Sequence, residues 1–451
     1  MTGTPDQSMS RRRSKLPEGL FEVSIDRLGS DGLGVGFVGE RQVRLAAVLA
    51  GERVRFRYTK RSRRFDEGLV AEILEPAPGR VQPRCPHFGI CGGCAFQHLD
   101  HECQLRMKSD RVSALFDAQG VEMPPMSPPL VGPLWGYRNK ARLGAKYLIP
   151  KSLALVGFRE RGSGLVTAIE RCQVLHASVG ERIEALRQLL QSLDARTRLP
   201  QIEIATGDAQ TALVFRHLES LTEADCVKLC AFSSAYDVQI YLQSGGPATV
   251  QALAPKEPEP LYYDLPAQDI RLWFDPLNFT QVNPAVNRLM VAQAITWLEP
   301  ASSDRMLDLF CGLGNFSLAF ARHCKSVVGL EADEPLIAKA RQNANQNGVN
   351  NAEFYAVDLR ESEAVKHWLT QPWSMMLLDP PRSGAAEVVE HLVPGEIPRI
   401  LYVSCGPESL ARDAELLVER KGYRLEQIAI ADMFPHTNHV ETMALFESVE
   451  T

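Results

Sequence analysis

The 451-residue sequence lacks any long hydrophobic run. Its uninterrupted apolar segments, such as Met375–Leu378, are strand-sized, whereas a membrane-spanning helix needs about 18 apolar residues. Residues 1–15 are polar and end in arginines and a lysine with no apolar segment behind them, so they do not read as a secretory signal. These absences exclude a transmembrane protein and predict a cytoplasmic location.

A disulfide framework is also not expected, although the chain has 10 cysteines. A large cytoplasmic protein keeps its thiols reduced, so metal binding or catalysis explains them better. An excess of positive charge is missing too, because the net charge is −6. Residues 1–80, however, carry 15 Lys+Arg and 11 Asp+Glu, a net +4, which leaves −10 for the other 371. The charge is segregated, so the overall value does not argue against a nucleic-acid partner.

The length, about three times that of a typical domain of ~150 residues, predicts two or three domains. Residues 1–15 read as a disordered basic tail, and residues 21–74 as short strands separated by glycines, which predicts a small β-barrel. In Arg53–Tyr58 a period of two places the apolar residues on one face and three arginines on the other. The basic positions continue to Arg64 without an acid, which favours a phosphate-binding face over a charged edge strand.

A cysteine cluster at residues 85–103 and a proline-rich stretch at 124–133 precede further period-two strands. Beyond Phe279 buried strands alternate with helices, which predicts a parallel, doubly wound α/β sheet. We therefore predict a barrel at 16–76, a central β domain at 77–270 and an α/β domain at 271–451.

A candidate cofactor site lies in the α/β domain. A strand at Met306–Phe310 runs into a turn with two glycines, and the next strand ends in Glu331, where a carboxylate can accept both ribose hydroxyls. Ser317 stands where a dinucleotide-binding loop has its third glycine, which favours S-adenosylmethionine over a nicotinamide dinucleotide. Two further strands end in Asp358, which can reach an adenine amino group or instead cap a helix, and in Asp379.

A candidate nucleophile, Cys405, follows the strand at 400–403, at the sheet edge where ligands of open α/β folds bind. Carbon 5 of uracil is a poor nucleophile, but a thiolate that adds to carbon 6 makes carbon 5 electron-rich enough to attack a methyl donor. The carbon 5 proton must then be removed by a general base, for which Glu441 is the candidate. His436, His439 and Glu441 as metal ligands are the less favoured alternative.

Four motifs resemble the uracil-5 RNA methyltransferase family: Asp308–Phe316, Asp379-Pro380-Pro381-Arg382, Val403–Pro407 and Phe434–Glu441. The resemblance covers the whole C-terminal domain. It implies that Cys405 is the nucleophile and Glu441 the base. It also implies an S-adenosylmethionine site formed by Gln281, Phe310, Asn315, Glu331, Asp358 and Asp379, with Asp379 near the uracil as well. Some family members have asparagine at the position of Asp358.

The cysteine cluster Cys85-x5-Cys91-x2-Cys94 supplies three soft ligands, and either Cys103 or Cys172 could be the fourth. A zinc site with four cysteines usually shows two close pairs of cysteines. Three neighbouring cysteines with one distant cysteine suit an iron–sulfur cluster better. The sequence resembles the iron–sulfur branch of the family, which implies a [4Fe-4S] cluster held by Cys85, Cys91, Cys94 and Cys172.

The N-terminal barrel resembles a TRAM domain, an OB-like RNA-binding module. Together these parts look like the branch that methylates a uridine of large-subunit (23S) ribosomal RNA. Aromatic and basic residues alternate between 135 and 147, which predicts contact with single-stranded RNA, with a half-buried strand as the alternative. The uridine would be unpaired or flipped out. We expect a monomer without a DNA or membrane partner.

Three rival functions stay open at this point. They are methylation of another rRNA or tRNA uridine, a catalytically inactive iron–sulfur RNA-binding protein, and a nicotinamide dehydrogenase.

Overall fold

The computed structural model describes residues 16–29 and 31–449, and the predicted basic tail at 1–15 lies outside them. The chain forms two compact units. The first comprises the chain up to Gly89 together with Cys94–Asp100, and the second comprises Ile90–Gly93 and the chain from His101 onward. Within the described ranges, no helix combines the length and apolar character needed to cross a membrane.

The first unit contains a closed five-stranded barrel, as predicted, with the strand order β1-β2-β3-β5-β4. Alternate residues such as Val23, Ile25, Val54 and Phe56 point inward and form its apolar core. The strands are β1 (Phe21–Leu28), β2 (Gly34–Val38), β3 (Arg41–Leu45), β4 (Arg53–Arg61) and β5 (Asp66–Glu75).

The arginines of β4 lie on the outer face, as predicted, but they have acidic partners. Arg53 pairs with Glu22 at 3.2 Å and Glu75 at 2.6 Å, and Arg55 pairs with Glu22 at 2.9 Å and Glu72 at 2.7 Å. The absence of acidic partners, which favoured a phosphate-binding face, is therefore wrong for these two residues, and phosphate binding by this face stays a prediction. The acids come from β1 and β5, which flank β4 in the barrel and lie outside the local sequence window.

In the second unit, a six-stranded mixed sheet has the order β11-β10-β9-β8-β6-β7. Its core residues, including Leu143, Ile202 and Leu213, pack against apolar residues of two helices at 183–192 and 223–236. The strands are β6 (Lys140–Leu148), β7 (Leu153–Gly157), β8 (Gln201–Thr206), β9 (Thr211–Arg216), β10 (Gln239–Gln243) and β11 (Val250–Ala254), followed by the hairpin β12 (Leu261–Leu265) and β13 (Ile270–Phe274).

A seven-stranded sheet of order β16-β15-β14-β17-β18-β20-β19 completes the second unit, with β14 to β18 parallel and the last two strands antiparallel to their neighbours. This confirms the predicted doubly wound sheet. The strands are β14 (Arg305–Leu309), β15 (Ser326–Glu331), β16 (Ala352–Ala356), β17 (Met375–Leu378), β18 (Arg399–Ser404), β19 (Tyr423–Ala431) and β20 (Glu441–Ser448).

Helices cover both faces of this sheet. The pleat sends Met375 and Leu377 to one apolar cluster and Met376 and Leu378 to the other, and all four are fully buried. The α-helices of the second unit are α1 (His101–Ala118), α2 (Ala177–Gly180), α3 (Ile183–Ser192), α4 (Glu223–Tyr236), α5 (Pro284–Leu298), α6 (Asn315–Ala321), α7 (Glu334–Gln346), α8 (Ser362–Leu369), α9 (Ala386–His391) and α10 (Pro407–Lys421). Short 3₁₀ helices occupy Ile149–Lys151, Asp194–Thr197, Pro247–Thr249 and Pro266–Gln268.

Two features of the sheet prepare the site. The strand order reverses between β14 and β17, and ligands of open α/β sheets bind outside the carboxyl ends of strands at such a reversal. The proline-rich stretch covers the exposed edge of β19, where the backbone N–H groups of Ser127 and Leu130 donate to Ile428 and Ile430. The predicted central and C-terminal domains fall largely within this one unit, and their boundary at residue 270 stays a prediction.

Candidate active site

One cavity of about 750 Å³ opens at the carboxyl ends of the parallel strands. Its wall contains all eight residues that the sequence analysis proposes for the donor site and for catalysis: Gln281, Phe310, Asn315, Glu331, Asp358, Asp379, Cys405 and Glu441. The structure thus brings these residues together from seven separate segments of the chain.

The turn after β14 forms one wall of the cavity. Phe310, Gly312 and Gly314 all adopt positive φ, at 66°, 56° and 95°. Glycine adopts this left-handed conformation without steric cost, which explains the two glycines of the motif. The positive φ of Phe310, unusual for a bulky residue, marks local strain of the kind found at ligand sites.

Asn315, the first residue of α6, is held by a small hydrogen-bond network. Its Oδ1 accepts from the Tyr263 hydroxyl at 3.0 Å and from Asn287 Nδ2 at 2.9 Å, while its Nδ2 donates to Asn287 Oδ1 at 3.0 Å. Tyr263 and Asn287 are both buried. These two residues fix the orientation of the Asn315 amide, and the sequence motifs gave no sign of them.

The two acids proposed to bind the adenosine part of a donor have different surroundings. Glu331 Oε1 accepts from the backbone N–H groups of Ala332 and Asp333 at 2.7 and 3.2 Å. The carboxylate of Asp358 accepts from the side chain and the backbone of Arg360, which lowers the pKa of Asp358 to about 2. The next helix, α8, has Glu361 at its N-cap, so the alternative role of Asp358 as that cap does not hold.

Cys405 and Glu441 face the same region of the cavity. Burial raises the pKa of the Cys405 thiol, and the charge of Glu441 adds to the rise, whereas the guanidinium of Arg382 opposes it. Burial likewise raises the pKa of Glu441 well above its ordinary value, with Asp379 adding to the rise. Perturbed groups of this kind cluster at functional sites, and a raised pKa makes the Glu441 carboxylate a stronger base.

Two further acids lie along the same sheet edge. Burial, together with neighbouring acids, raises the pKa of Asp379 and of Asp308 to about 7, with Ser317 partly opposing the rise at Asp308. Within the described part of the chain, the buried Oδ1 of Asp308 has no hydrogen-bond partner. Because its pKa is about 7, Asp379 can act at neutral pH as a hydrogen-bond donor or as an acceptor.

The two histidines near Glu441 are uncharged at neutral pH, because burial lowers the pKa of His436 and of His439 to about 4. His439 Nδ1 accepts from Arg382 at 3.0 Å, so His439 holds the arginine that lies beside Cys405. Arg382 is visible in the Asp-Pro-Pro-Arg motif, but the motif alone did not indicate this link to His439.

The cysteines predicted to bind iron are distributed over both units. Cys85 and Cys94 belong to the first unit, Cys91 and Cys172 to the second, and all four are half-buried in loops. Four thiols are a soft donor set that suits an iron–sulfur cluster. Among residues 16–29 and 31–449, however, no three His, Cys, Asp or Glu side chains are grouped as a metal site, so the ligand set stays a prediction.

The aromatic and basic residues between 135 and 147 are largely engaged within the protein. Trp135 stacks on His436 with ring centroids 4.1 Å apart, the buried Tyr137 donates to the Pro435 carbonyl, and Lys140 donates to the Pro276 carbonyl. This pattern fits the alternative of a half-buried strand better than an open stacking platform.

A family model described as tRNA (Uracil-5-)-methyltransferase matches residues 166–449. The 23S rRNA (uracil(1939)-C(5))-methyltransferase RlmD of Nitrosococcus oceani is 48% identical over 439 residues, 97% of this chain and 98% of that protein. The protein of the same name from Alkalilimnicola ehrlichii is 46% identical over 97% of this chain and 99% of its own length.

Among solved structures, the tRNA (uracil-54, C5)-methyltransferase of Pyrococcus abyssi in complex with S-adenosyl-L-homocysteine shares the fold. The TM-score is 0.72, with 24% identity, and the match covers 94% of this chain and 99% of that chain. The family match, the relatives and the fold agree with the motifs that line the cavity. The chain therefore belongs to the RNA (uracil-5-)-methyltransferase family, a family of S-adenosylmethionine-dependent enzymes.

Proposed function

We propose that this chain transfers the methyl group of S-adenosylmethionine to carbon 5 of a uridine in 23S ribosomal RNA, forming 5-methyluridine. The proposal rests on one observation. Cys405, Glu441 and Asp379 line the same cavity as the residues proposed to bind S-adenosylmethionine. The relatives that match nearly the whole chain are named for uracil 1939 of this RNA, which supports the same target.

The residues that line the cavity suit the methyl donor S-adenosylmethionine. Acids dominate the charged part of the cavity wall, and a sulfonium cation is favoured by nearby negative charge. Glu331 would accept from the ribose hydroxyls and Asp358 from the adenine amino group, while Asn315 lines the wall beside the turn after β14. When bound, S-adenosylmethionine supplies an electrophilic methyl group.

The chain's own residues would perform the remaining steps. The Cys405 thiolate adds to carbon 6 of uracil, and the electrons of the carbon 5–carbon 6 double bond move onto the carbonyl at carbon 4 as an enolate. Carbon 5 then takes the methyl group. Glu441 removes the carbon 5 proton, the double bond re-forms, and the thiolate leaves. Arg382 favours the thiolate that starts and ends this cycle.

Asp379 would complete the uracil site. Because its pKa is raised to about 7, a protonated fraction is present at neutral pH and can donate to a uracil carbonyl as negative charge develops there. A uridine can reach Cys405 only outside a base stack, so the target would be single-stranded or flipped out. The cytoplasmic location and the monomeric state remain predictions.

Mass-spectrometric mapping of 5-methyluridine in total RNA, from cells with and without the gene, tests the proposal. We expect one 23S rRNA site to lose its methyl group. Loss at a tRNA uridine instead would favour the tRNA activity that the family description names. An unchanged map would leave the inactive RNA-binding protein as the better explanation.

We further propose that Cys85, Cys91, Cys94 and Cys172 hold a [4Fe-4S] cluster. The support is the soft four-thiol donor set and the resemblance of its spacing to the iron–sulfur branch of the family. Cys103 lies inside α1, whereas each proposed ligand lies in a loop. The cluster would have a structural role, because no step above transfers an electron.

We expect anaerobically purified protein to be brown and to contain about four irons, as a four-cysteine iron–sulfur site holds. Cys172→Ser should lose most of this iron because it removes one ligand, and Cys103→Ser is the matched control that should keep it. Colourless protein with stoichiometric zinc, or iron lost in Cys103→Ser but kept in Cys172→Ser, would contradict the assignment.

A further inference from the structure

The helix α1 has a buried face that is polar, although a buried helix face is normally apolar. Gln104 and Lys108 are only 1% and 2% exposed. With His101 and Arg111 they form a stripe at helical spacing, which we call the polar face of α1. Beyond it, Val112 and Phe116 pack into the core in the ordinary way.

The polar face contacts four alternate residues of the segment 432–440, which links β19 to β20: Asp432, Phe434, His436 and Asn438. His101 and Lys108 bind the carboxylate of Asp432 at 2.8 and 2.6 Å, and Lys108 also donates to the Phe434 carbonyl at 3.1 Å. Gln104 binds His436, and Arg111 donates to the Asn438 carbonyl at 3.1 Å. Polar residues on successive turns of the helix thus contact alternate residues of a segment that is neither helix nor strand.

Gln104 fixes both the backbone and the ring of His436. Its Oε1 accepts from the His436 backbone N–H at 2.9 Å, so its amide nitrogen is the atom that faces His436 Nδ1 at 3.2 Å. Nδ1 must then be the acceptor, which places the proton of the neutral ring on Nε2. His436 has a φ of 64°, a left-handed conformation that a residue other than glycine keeps only when its surroundings impose it.

Lys108 and Asp432 form an ion pair with both side chains buried, at 2% and 1% exposure. The cost of desolvating two charges cancels much of the attraction in such a pair, so the pair is weak evidence for stability. Its better-attested effect is to favour one geometry over alternatives. The buried ion pair therefore indicates that the 432–440 segment has to be held in one position.

That segment is adjacent to the chemistry. Phe434 and Glu441 line the cavity, and His439 holds Arg382 beside Cys405. None of the polar-face residues lines the cavity, so they can act on the reaction only through the residues that they contact, which are those of the segment and, for Arg111, also Glu408.

We propose that the polar face of α1 is a positioning element that holds the 432–440 segment, and with it Glu441 and the His439–Arg382 pair, in the geometry required for catalysis. This inference rests on the proposed function. Gln104 and Arg111 are thereby positioning residues, since they touch neither the substrate nor the reacting atoms.

Gln104→Leu and Arg111→Met test the proposal without leaving a buried charge unpaired. We expect kcat for RNA methylation to fall roughly 10- to 100-fold in each, the range that follows from a displacement of about 1 Å at a reacting group. The dissociation constant of S-adenosylhomocysteine, measured by calorimetry, should stay within about twofold of the wild type, because the segment carries none of the proposed adenosine contacts.

Two variants make the test specific. Arg111 also pairs with Glu408 at 2.5 Å, so Glu408→Gln removes that pair but keeps the bond to Asn438, and it should match the wild type. Arg111→Lys keeps a donor and should recover most of the activity. If Gln104→Leu does not fold, Arg111→Met decides, since Arg111 is partly exposed.

The inference fails if both folded variants keep the wild-type kcat, or if kcat, donor affinity and thermal stability fall together as in a general loosening. Failure of the proposed function is a separate result, because wild-type protein would then form no 5-methyluridine in 23S rRNA.

Discussion

Cys405→Ala should abolish both 5-methyluridine formation and any covalent enzyme–RNA complex. In the proposed mechanism only the thiolate of Cys405 makes carbon 5 nucleophilic, so no later step can proceed without it. The rate should fall by a factor on the order of 10⁶, the scale seen when the nucleophile of a serine protease is removed. Methylation of the target RNA with labelled S-adenosylmethionine, and a denaturing gel for the complex, provide the two measurements.

Cys226→Ala is the matched control for this variant. Cys226 is also half-buried, but it lies on α4, which packs on the six-stranded sheet and does not line the cavity. It should methylate at the wild-type rate and form the complex normally. A covalent complex that persists in Cys405→Ala would show that the nucleophile has been misassigned.

The sequence predicted the catalytic sheet well because its signals are local. A buried parallel strand is a short apolar run, and the runs predicted at 306–310, 375–378 and 400–403 lie within one residue of the observed bounds of β14, β17 and β18. Since the carboxyl ends of parallel strands meet at one edge, residues that follow separate strands were expected to gather there. Phe310, Asn315, Glu331, Asp358, Asp379 and Cys405, which end or follow parallel strands and line one cavity, satisfy this expectation.

The partners of those residues could not be predicted in this way. Gln104 and Lys108 meet the 432–440 segment across more than 300 residues of chain, and neither belongs to a motif. The acids that pair with Arg53 and Arg55 lie on neighbouring strands whose register is set only when the barrel closes. In the barrel a local pattern predicted the strand and missed the contact, and the helix α1 was not predicted at all. Contacts between distant segments have no signature in a short window of sequence.

Glu441→Gln should form the covalent enzyme–RNA complex and fail to release it. Glutamine has nearly the shape of glutamate, so the thiolate of Cys405 can still attack and the methyl group can still be transferred. Removal of the carbon 5 proton, however, loses its general base, whose contribution is typically about 100- to 10,000-fold. The complex should therefore accumulate as a slowly migrating band on a denaturing gel, and this band should carry the labelled methyl group from the donor.

The raised pKa of Glu441 sharpens this expectation. Burial and the nearby Asp379 raise it well above the ordinary value, so the carboxylate form binds a proton strongly when it takes one from carbon 5. Glu447→Gln is the matched control, because Glu447 lies on the same strand, β20, but does not line the cavity. It should turn over normally without accumulating the complex. Full turnover by Glu441→Gln would mean that another group, such as a water molecule or His436, removes the proton. The low pKa of His436, about 4, makes that ring a weaker base than Glu441.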